Sequence, residues 1–223
     1  MTSMFAPARI NRRTAIAAPL LWLAARLAPG QVIDPRTRDF WNGKFKDPKT
    51  AYRRQPSPLL VESVRGRKPG AAVDLGTGDG RNAVYLGLQG WQVTGVDLSD
   101  VAVAQARQHA ADAGVKLDAV VDGLDHYDFG HNRWDLITLF YVHAWYEGAR
   151  PRSTERIREA LKPGGLLVME GFAGEEKFMF QTNQLLRDFD DLRVVRYQDT
   201  MDEAEWNPGR QSRLVRFVAE KTR

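Results

Sequence analysis

The chain has 223 residues, 43% hydrophobic and 27% charged, the size and composition of one soluble α/β domain with an extension. It contains no cysteine, which excludes disulfides, thiolate metal sites and a cysteine nucleophile. The net charge of +4 is unevenly spread: residues 1–30 carry +4 and residues 31–70 carry +6, whereas residues 71–223 hold eighteen basic and twenty-four acidic side chains, so the body lacks the basic surface that nucleic-acid binding requires.

At the N-terminus, Asn11-Arg12-Arg13-Thr14 precedes an apolar stretch, Ala15–Ala28, interrupted by Arg26. A basic pair before apolar sequence has the form of a secretory leader of the twin-arginine type. The stretch is too short and too interrupted for a membrane span. Arg26 stands where a cleavage region needs a small residue, so an N-terminal helix that caps the domain is an equal reading of residues 1–30. Residues 31–70 form a lid or linker that is basic, aromatic and rich in turns. Pro56 and Pro58 frame its boundary, and Leu59, Leu60 and Val64 predict a short helix leading into the body.

From residue 71 to 223 strands and helices alternate, the pattern of a parallel sheet covered on both faces. Strands are predicted at Ala71–Leu75, Gln92–Asp97, Leu117–Val121, Asp135–Val142 and Leu166–Glu170, with helices at Asn82–Gln89, Val101–Ala113, Pro151–Leu161 and Asn183–Phe189. Ser99 or Asp100 suits the N-cap of the second helix and Gly114 its end. Two late strands, Arg193–Tyr197 and Arg213–Ala219, are joined by a polar loop containing Trp206 and predict an antiparallel edge.

The chemistry begins at Val73-Asp74-Leu75-Gly76-Thr77-Gly78-Asp79-Gly80-Arg81-Asn82. Gly76, Gly78 and Gly80 allow a tight turn and close approach to a ligand, and the following helix offers free N–H groups. A dinucleotide fingerprint would be G-x-G-x-x-G, but Arg81 occupies the third glycine position. Asp74, two residues before the turn, would repel a pyrophosphate and attract a sulfonium or an amino group. Asp97, ending the second strand, is placed to accept hydrogen bonds from ribose hydroxyls, and Asp122-Gly123 after the third is placed to reach adenine. Each acid alone reads equally as a cap or turn former. Three at successive strand ends beside a glycine turn point to a ligand.

With these residues in place, the chain resembles class I S-adenosylmethionine-dependent methyltransferases over Ala71–Gly80, Val93–Ser99, Val120–Leu124, Trp134–Val142 and Leu161–Glu170. Lys162-Pro163-Gly164-Gly165 is similar to the turn that family places before its fifth strand. The G-R-N-A run at residues 80–83 and the short chain are most similar to the tellurite-resistance and thiopurine-type small-molecule enzymes. The resemblance implies a doubly wound Rossmann-like sheet of seven strands, order 3-2-1-4-5-7-6, with a C-terminal antiparallel hairpin. It implies S-adenosyl-L-methionine as cofactor, with Asp74, Gly76, Gly78 and Gly80 at the methionine portion, and Arg81 and Asn82 opening the helix beside it. Asp97 and Leu98 would hold ribose and adenine, Asp122 with Gly123 or Leu124 the adenine, and Phe140 and Tyr141 would lie near the methyl group. Phe40-Trp41, Tyr52, Arg53 and Arg54 would close the site, or else form a solvated basic loop with aromatics packed on the core.

The acceptor is read from what stands after the fourth strand. The N/D-P-P-Y/F signature of DNA and protein amide methylation is replaced by Phe140-Tyr141-Val142-His143. His143, titrating near neutrality, would serve as a base, with packing or capping as its alternative role; Tyr141 is the second candidate catalytic residue. Glu170 would orient a substrate or cap the next turn. No spacing suggests a metal. The expected activity is methyl transfer to a small soft nucleophile, a thiol or a metalloid, by in-line displacement that needs no dedicated base. Two alternatives stand: a nicotinamide-dependent oxidoreductase, and an exported non-catalytic nucleoside-binding protein. Cofactor supply favours the cytoplasm, whereas the leader-like segment allows export or membrane association.

Overall fold

Five largely apolar runs become the parallel strands β1 (Ala71–Leu75), β2 (Gln92–Asp97), β3 (Leu117–Val121), β4 (Trp134–Phe140) and β5 (Leu161–Phe172). This computed structural model describes residues 35–206 and 208–222; the leader-like segment, residues 1–30, lies outside the described residues. Strands β6 (Arg193–Glu203) and β7 (Gln211–Glu220) complete a seven-stranded sheet of order β3-β2-β1-β4-β5-β7-β6. The first five strands pair in parallel, and β7 runs antiparallel to both β5 and β6. The expected strand order and C-terminal hairpin are the observed ones.

Alternation along each strand feeds two cores, as expected for a sheet covered on both sides. Val73, Leu75, Ile137, Leu139, Leu167 and Met169 face one layer, against Tyr146 of α5 (His143–Ala149), Ile157 of α6 (Arg152–Ala160) and Leu185 of α7 (Gln184–Asp188). Ala72, Leu136, Leu166 and Val168 face the other, against Leu59 and Leu60 of α2 (Pro58–Val64) and Ala83 and Leu86 of α3 (Arg81–Leu88). Each large aliphatic chain fully buried this way stabilises the fold by about 1.5–3 kcal/mol. Helix α4 (Asp100–Asp112) starts at Ser99, whose Oγ accepts a hydrogen bond from the Ala102 N–H at 3.1 Å.

The sequence reading of a turn-rich segment after Asp34 is corrected: Pro35–Lys46 is helix α1. Its first turn has no acidic residue and its composition is polar, so tertiary contacts hold it. Asn42 donates to Asp100 Oδ1 at 2.8 Å and accepts from Ser99 Oγ at 2.6 Å, and Gln105 Nε2 donates to the Phe45 carbonyl at 3.0 Å. Helix α5, at the site of His143, Trp145 and Tyr146, was likewise not predicted; it is anchored by the buried Tyr146, whose hydroxyl bonds Thr154 and Asp188. Strand β4 stops at Phe140, two residues early, because Tyr141 takes a left-handed backbone (φ +60°). Strand β6 extends six residues past Tyr197, supported by pairing with β7 as far as Glu203↔Gln211.

Candidate active site

A cavity of about 800 Å³ opens where the carboxyl ends of β1, β2 and β4 meet. This is the edge at which open α/β sheets bind ligands. Its floor is the glycine turn. Gly76 has φ +77°, and a Cβ there would fall 2.1 Å from Val142 Cγ1, so only glycine lets the loop after β4 come this close. The N–H groups of Gly76 and Thr77 donate to the Val96 carbonyl at 2.8 and 3.0 Å and tie the turn to β2. Gly80 does not line the cavity. A Cβ on it would lie 2.8 Å from the Ala106 Cβ, so it seats α3 against α4.

Asp74 is also beneath the floor. Its carboxylate accepts from Thr77 Oγ1 at 2.9 Å and Thr138 Oγ1 at 2.6 Å, is buried, and does not line the cavity. Burial pushes its pKa up, against the pull of those two hydroxyls. The expectation that Asp74 would meet a cationic ligand portion is therefore corrected: it braces the turn, and Asp79 is the acid of the glycine run that lines the cavity. Asp79 lies 3.3 Å from the Tyr52 hydroxyl and 3.4 Å from Arg54 Nη1.

Asp97 lines the cavity at the end of β2. Its Oδ2 accepts from the Gly78 N–H at 2.9 Å and its Oδ1 from the Ser99 N–H at 2.8 Å. Burial pushes its pKa up to about 6, opposed by these backbone donors. Leu98, Gly123 and Leu124 line the cavity beside it. Asp122 does not: its Oδ1 caps the Gly123 N–H at 2.8 Å and its own N–H donates to the Asp97 carbonyl, so it shapes the turn after β3.

Arg81 and Asn82 line the cavity, but with their polar ends already engaged. Arg81 bonds Glu205 Oε2 at 2.5 Å and the Gln55 carbonyl at 3.1 Å, and Asn82 Oδ1 accepts from the Ser57 N–H at 2.9 Å. Phe140 and Tyr141 line the wall above the turn. The Tyr141 hydroxyl donates to Glu170 Oε1 at 2.5 Å and accepts from the Glu205 N–H at 2.8 Å. Burial and the Glu170 charge push its pKa far up, so it holds its proton. Glu170 in turn accepts from Arg216 Nε at 2.8 Å and does not line the cavity.

His143 is absent from the lining. Its ring packs edge-on to Phe172 and tilted to Phe180, and its buried Nδ1 has no hydrogen-bond partner. Burial lowers its pKa to about 4. The expected base at this position is therefore corrected to an apolar-packed, neutral imidazole.

The N-terminal segment forms part of the wall. Trp41, Phe45 and Tyr52 line the cavity, with the Phe45 ring tip 3.2 Å from where a Gly78 Cβ would stand. Tyr52 stacks on Trp206 at 5.0 Å and shares an isolated β-bridge with it. Phe40 is exposed instead, and Arg53 contributes through its backbone N–H to the Glu205 carbonyl. Asp79, Phe178 and Trp206 are among the lining residues that sequence reasoning missed. Of these only Asp79, inside the glycine run, carried a signal.

Residues 72–165 match a family described as a methyltransferase domain. The match spans less than half of the chain, and over it the protein is similar to S-adenosylmethionine-dependent methyltransferases. Ribosomal RNA small subunit methyltransferase C of Alcanivorax borkumensis is 33% identical over 121 residues, covering 50% of this chain and 36% of that protein. The probable S-adenosyl-L-methionine-dependent methyltransferase TehB of Haemophilus influenzae is 23% identical over 153 residues, covering 65% and 53%. The chain thus spans about a third to a half of the curated relatives it matches. Among solved structures, H. influenzae TehB superposes with a TM-score of 0.67 at 18% identity, over 83% of this chain and 67% of that one. A Burkholderia thailandensis 1,6-didemethyltoxoflavin-N1-methyltransferase, solved with bound 1,6-didemethyltoxoflavin and S-adenosylhomocysteine, gives 0.60 at 20% identity, over 85% and 84%.

The cofactor of this methyltransferase class is S-adenosylmethionine, and the cavity fits it. Side-chain-free glycines form the floor, the Asp97 carboxyl stands at the β2 end, and Leu98, Gly123 and Leu124 offer an apolar slot beside it. The nicotinamide alternative is set aside by the methyltransferase-domain match. Among the described residues, no group of three or more acids and histidines is arranged to hold a metal, and no helix is long and apolar enough to cross a membrane.

Proposed function

We propose that this protein transfers a methyl group from S-adenosylmethionine to a small-molecule acceptor bearing a soft nucleophile, a thiol or a metalloid. The observation that carries this reading is the cavity of about 800 Å³, in which the glycine floor and Asp97 share one enclosure with Trp41, Tyr52 and Trp206. That volume is in the range of small-ligand sites. The aromatic wall, contributed from both flanks of the matched segment, leaves a pocket for a small molecule rather than a groove for a polymer.

The bound cofactor supplies an activated methyl on a sulfonium. In the transfer the acceptor–carbon bond forms as the sulfur–carbon bond breaks, the electron pair stays on sulfur, and the acceptor's proton leaves to water. The protein positions the partners and excludes water, the terms that in-line displacement needs. Asp97 would accept from the ribose hydroxyls, with adenine between Leu98 and Leu124. Asp79 and Arg54 would hold the ammonium and carboxylate of the methionine end. Phe140 and the backbone of Tyr141 would bound the methyl group. With His143 packed among aromatics and Tyr141 locked as a donor to Glu170, no side chain is assigned as a base.

Calorimetric titration with S-adenosylhomocysteine and with NAD, followed by an acceptor screen with radiolabelled donor, tests the reading. Binding of the first ligand and turnover of small thiols or metalloid oxyanions is the expected result. Turnover on ribosomal RNA or protein alone would overturn it, an outcome kept in view by the RNA-modifying relative. Fractionation of cells carrying a C-terminally tagged protein tests the cytoplasmic placement, which rests on cofactor supply.

A further inference from the structure

The charges around the cavity narrow the acceptor. Among the described residues, the titratable carboxylates, guanidinium and imidazole that line it belong to Asp79, Asp97, Asp125, Arg81 and His126, and Asp79 is paired with Arg54 at 3.4 Å. The guanidinium is consumed by Glu205, with both side chains less than a tenth exposed. Asp125 accepts from Trp145 Nε1 at 3.1 Å and lies 3.8 Å from Arg152, which does not itself line the cavity. Lys177, whose ammonium sits 4.6 Å from the Phe178 ring centroid, is likewise outside the lining. The guanidiniums in and beside the lining are therefore each paired with a carboxylate, and an anion would surrender its hydration with no guanidinium free to receive it.

Away from the glycine floor, beside Asp125 and His126, the lining has an apolar stretch: Val142, Ala144 and Trp145 at the start of α5, and Phe178 from the segment between β5 and α7. Phe178 stands out. It is 42% exposed, and its backbone is left-handed (φ +71°), a conformation that costs a non-glycine residue about 1–3 kcal/mol. A large ring held at a cavity rim in a strained conformation, and not buried in the core, is available to a ligand.

From this lining we infer that the acceptor is an uncharged molecule with a planar ring, seated against Trp145 and Phe178, and not an oxyanion or a carboxylate. The inference rests on the methyl-transfer reading for the identity of the site, and it removes metalloid oxyanions from the acceptors that reading allows. Its measurement needs no turnover.

Benzyl alcohol and benzoate share a ring and differ in charge. Their affinities for the full chain are measured by ligand-observed NMR, with and without saturating S-adenosylhomocysteine. The expected result is at least about tenfold tighter binding of benzyl alcohol, a difference of about 1.4 kcal/mol. Phe178→Ala should weaken benzyl alcohol binding severalfold, while Phe40→Ala, at an exposed ring outside the lining, should not. Equal or tighter binding of benzoate would overturn the inference, as would failure of both rings to bind or indifference to Phe178→Ala. Ring binding with no S-adenosylhomocysteine binding would strike the methyl-transfer reading alone.

Discussion

The Arg81 guanidinium and the Glu205 carboxylate meet at 2.5 Å, one at the first residue of α3 and the other just beyond β6. Both side chains are nearly closed to solvent, so each depends on the other to compensate its charge. Removing one partner of such a buried pair costs about 3–5 kcal/mol, or roughly 6–20 °C in Tm for a chain this size. Arg81→Met should show this loss by thermal melting, and Arg81→Met combined with Glu205→Leu should recover part of it. A single variant that melts within about 2 °C of the wild type would mean that water reaches the pair.

Asp97 sets a pH dependence for cofactor binding. Its carboxyl is neutral below about pH 6 and ionised above, because burial raises its pKa. An ionised acceptor makes the stronger hydrogen bond to a hydroxyl. Affinity for S-adenosylhomocysteine should therefore rise from pH about 5 to about 7 and then level off. Asp97→Asn should flatten that rise and weaken binding about tenfold or more at high pH, the cost of a charged hydrogen bond at about 1.5–3 kcal/mol. A wild-type profile with no inflection in this window would remove Asp97 from the ribose role.

Gly76 answers to two constraints that a double variant separates. Gly76→Ala must bear a left-handed backbone, about 1–2 kcal/mol, and the overlap of its Cβ with Val142 Cγ1. In a Val142→Ala background only the backbone cost remains, so the same substitution should be milder there by urea unfolding. Equal costs in both backgrounds would show that the loop after β4 yields without strain.

His143 should matter to acid stability and not to methyl transfer. Its folded pKa, about 4, lies below the ordinary value of 6.5, so the unfolded chain binds the extra proton first as pH falls. The stability it contributes is complete above pH about 6.5 and is lost as pH falls through about 4, a term of order 3 kcal/mol. His143→Leu should make the fall in stability over this window shallower while preserving methyl transfer at neutral pH. Loss of a catalytic pH limb in this variant would restore the histidine as a base.

What was legible in the sequence follows from where each signal is local. Strands β2 and β3 match their predicted bounds residue for residue, because each is a short apolar run closed by an acid or a glycine. Asp97, Leu98, Gly123 and Leu124 were readable because parallel-sheet topology fixes which strand ends converge. Helix α1 was not, since Asn42 and Phe45 become structural only when they reach Asp100 and Gly78. His143 was placed at the correct strand end, but whether its ring faces the cavity or Phe172 is set by the left-handed turn at Tyr141, which no local pattern announces. Asp74 and Asp122 sit where expected and point elsewhere, each satisfying a hydroxyl or N–H of the turn it supports.

The bridge between Tyr52 and Trp206 joins points on either side of the segment shared with the methyltransferase-domain family, residues 72–165. The shared segment carries the floor, and the two flanks meet over it as a roof. Substitutions in the flanks can therefore reshape the roof while leaving the glycine floor as it is, with Trp145 the part of the proposed acceptor wall that lies inside the shared segment. For this protein, relatives aligned on residues 72–165 will speak about the donor; those that inform on the acceptor must also match around residues 52, 178 and 206.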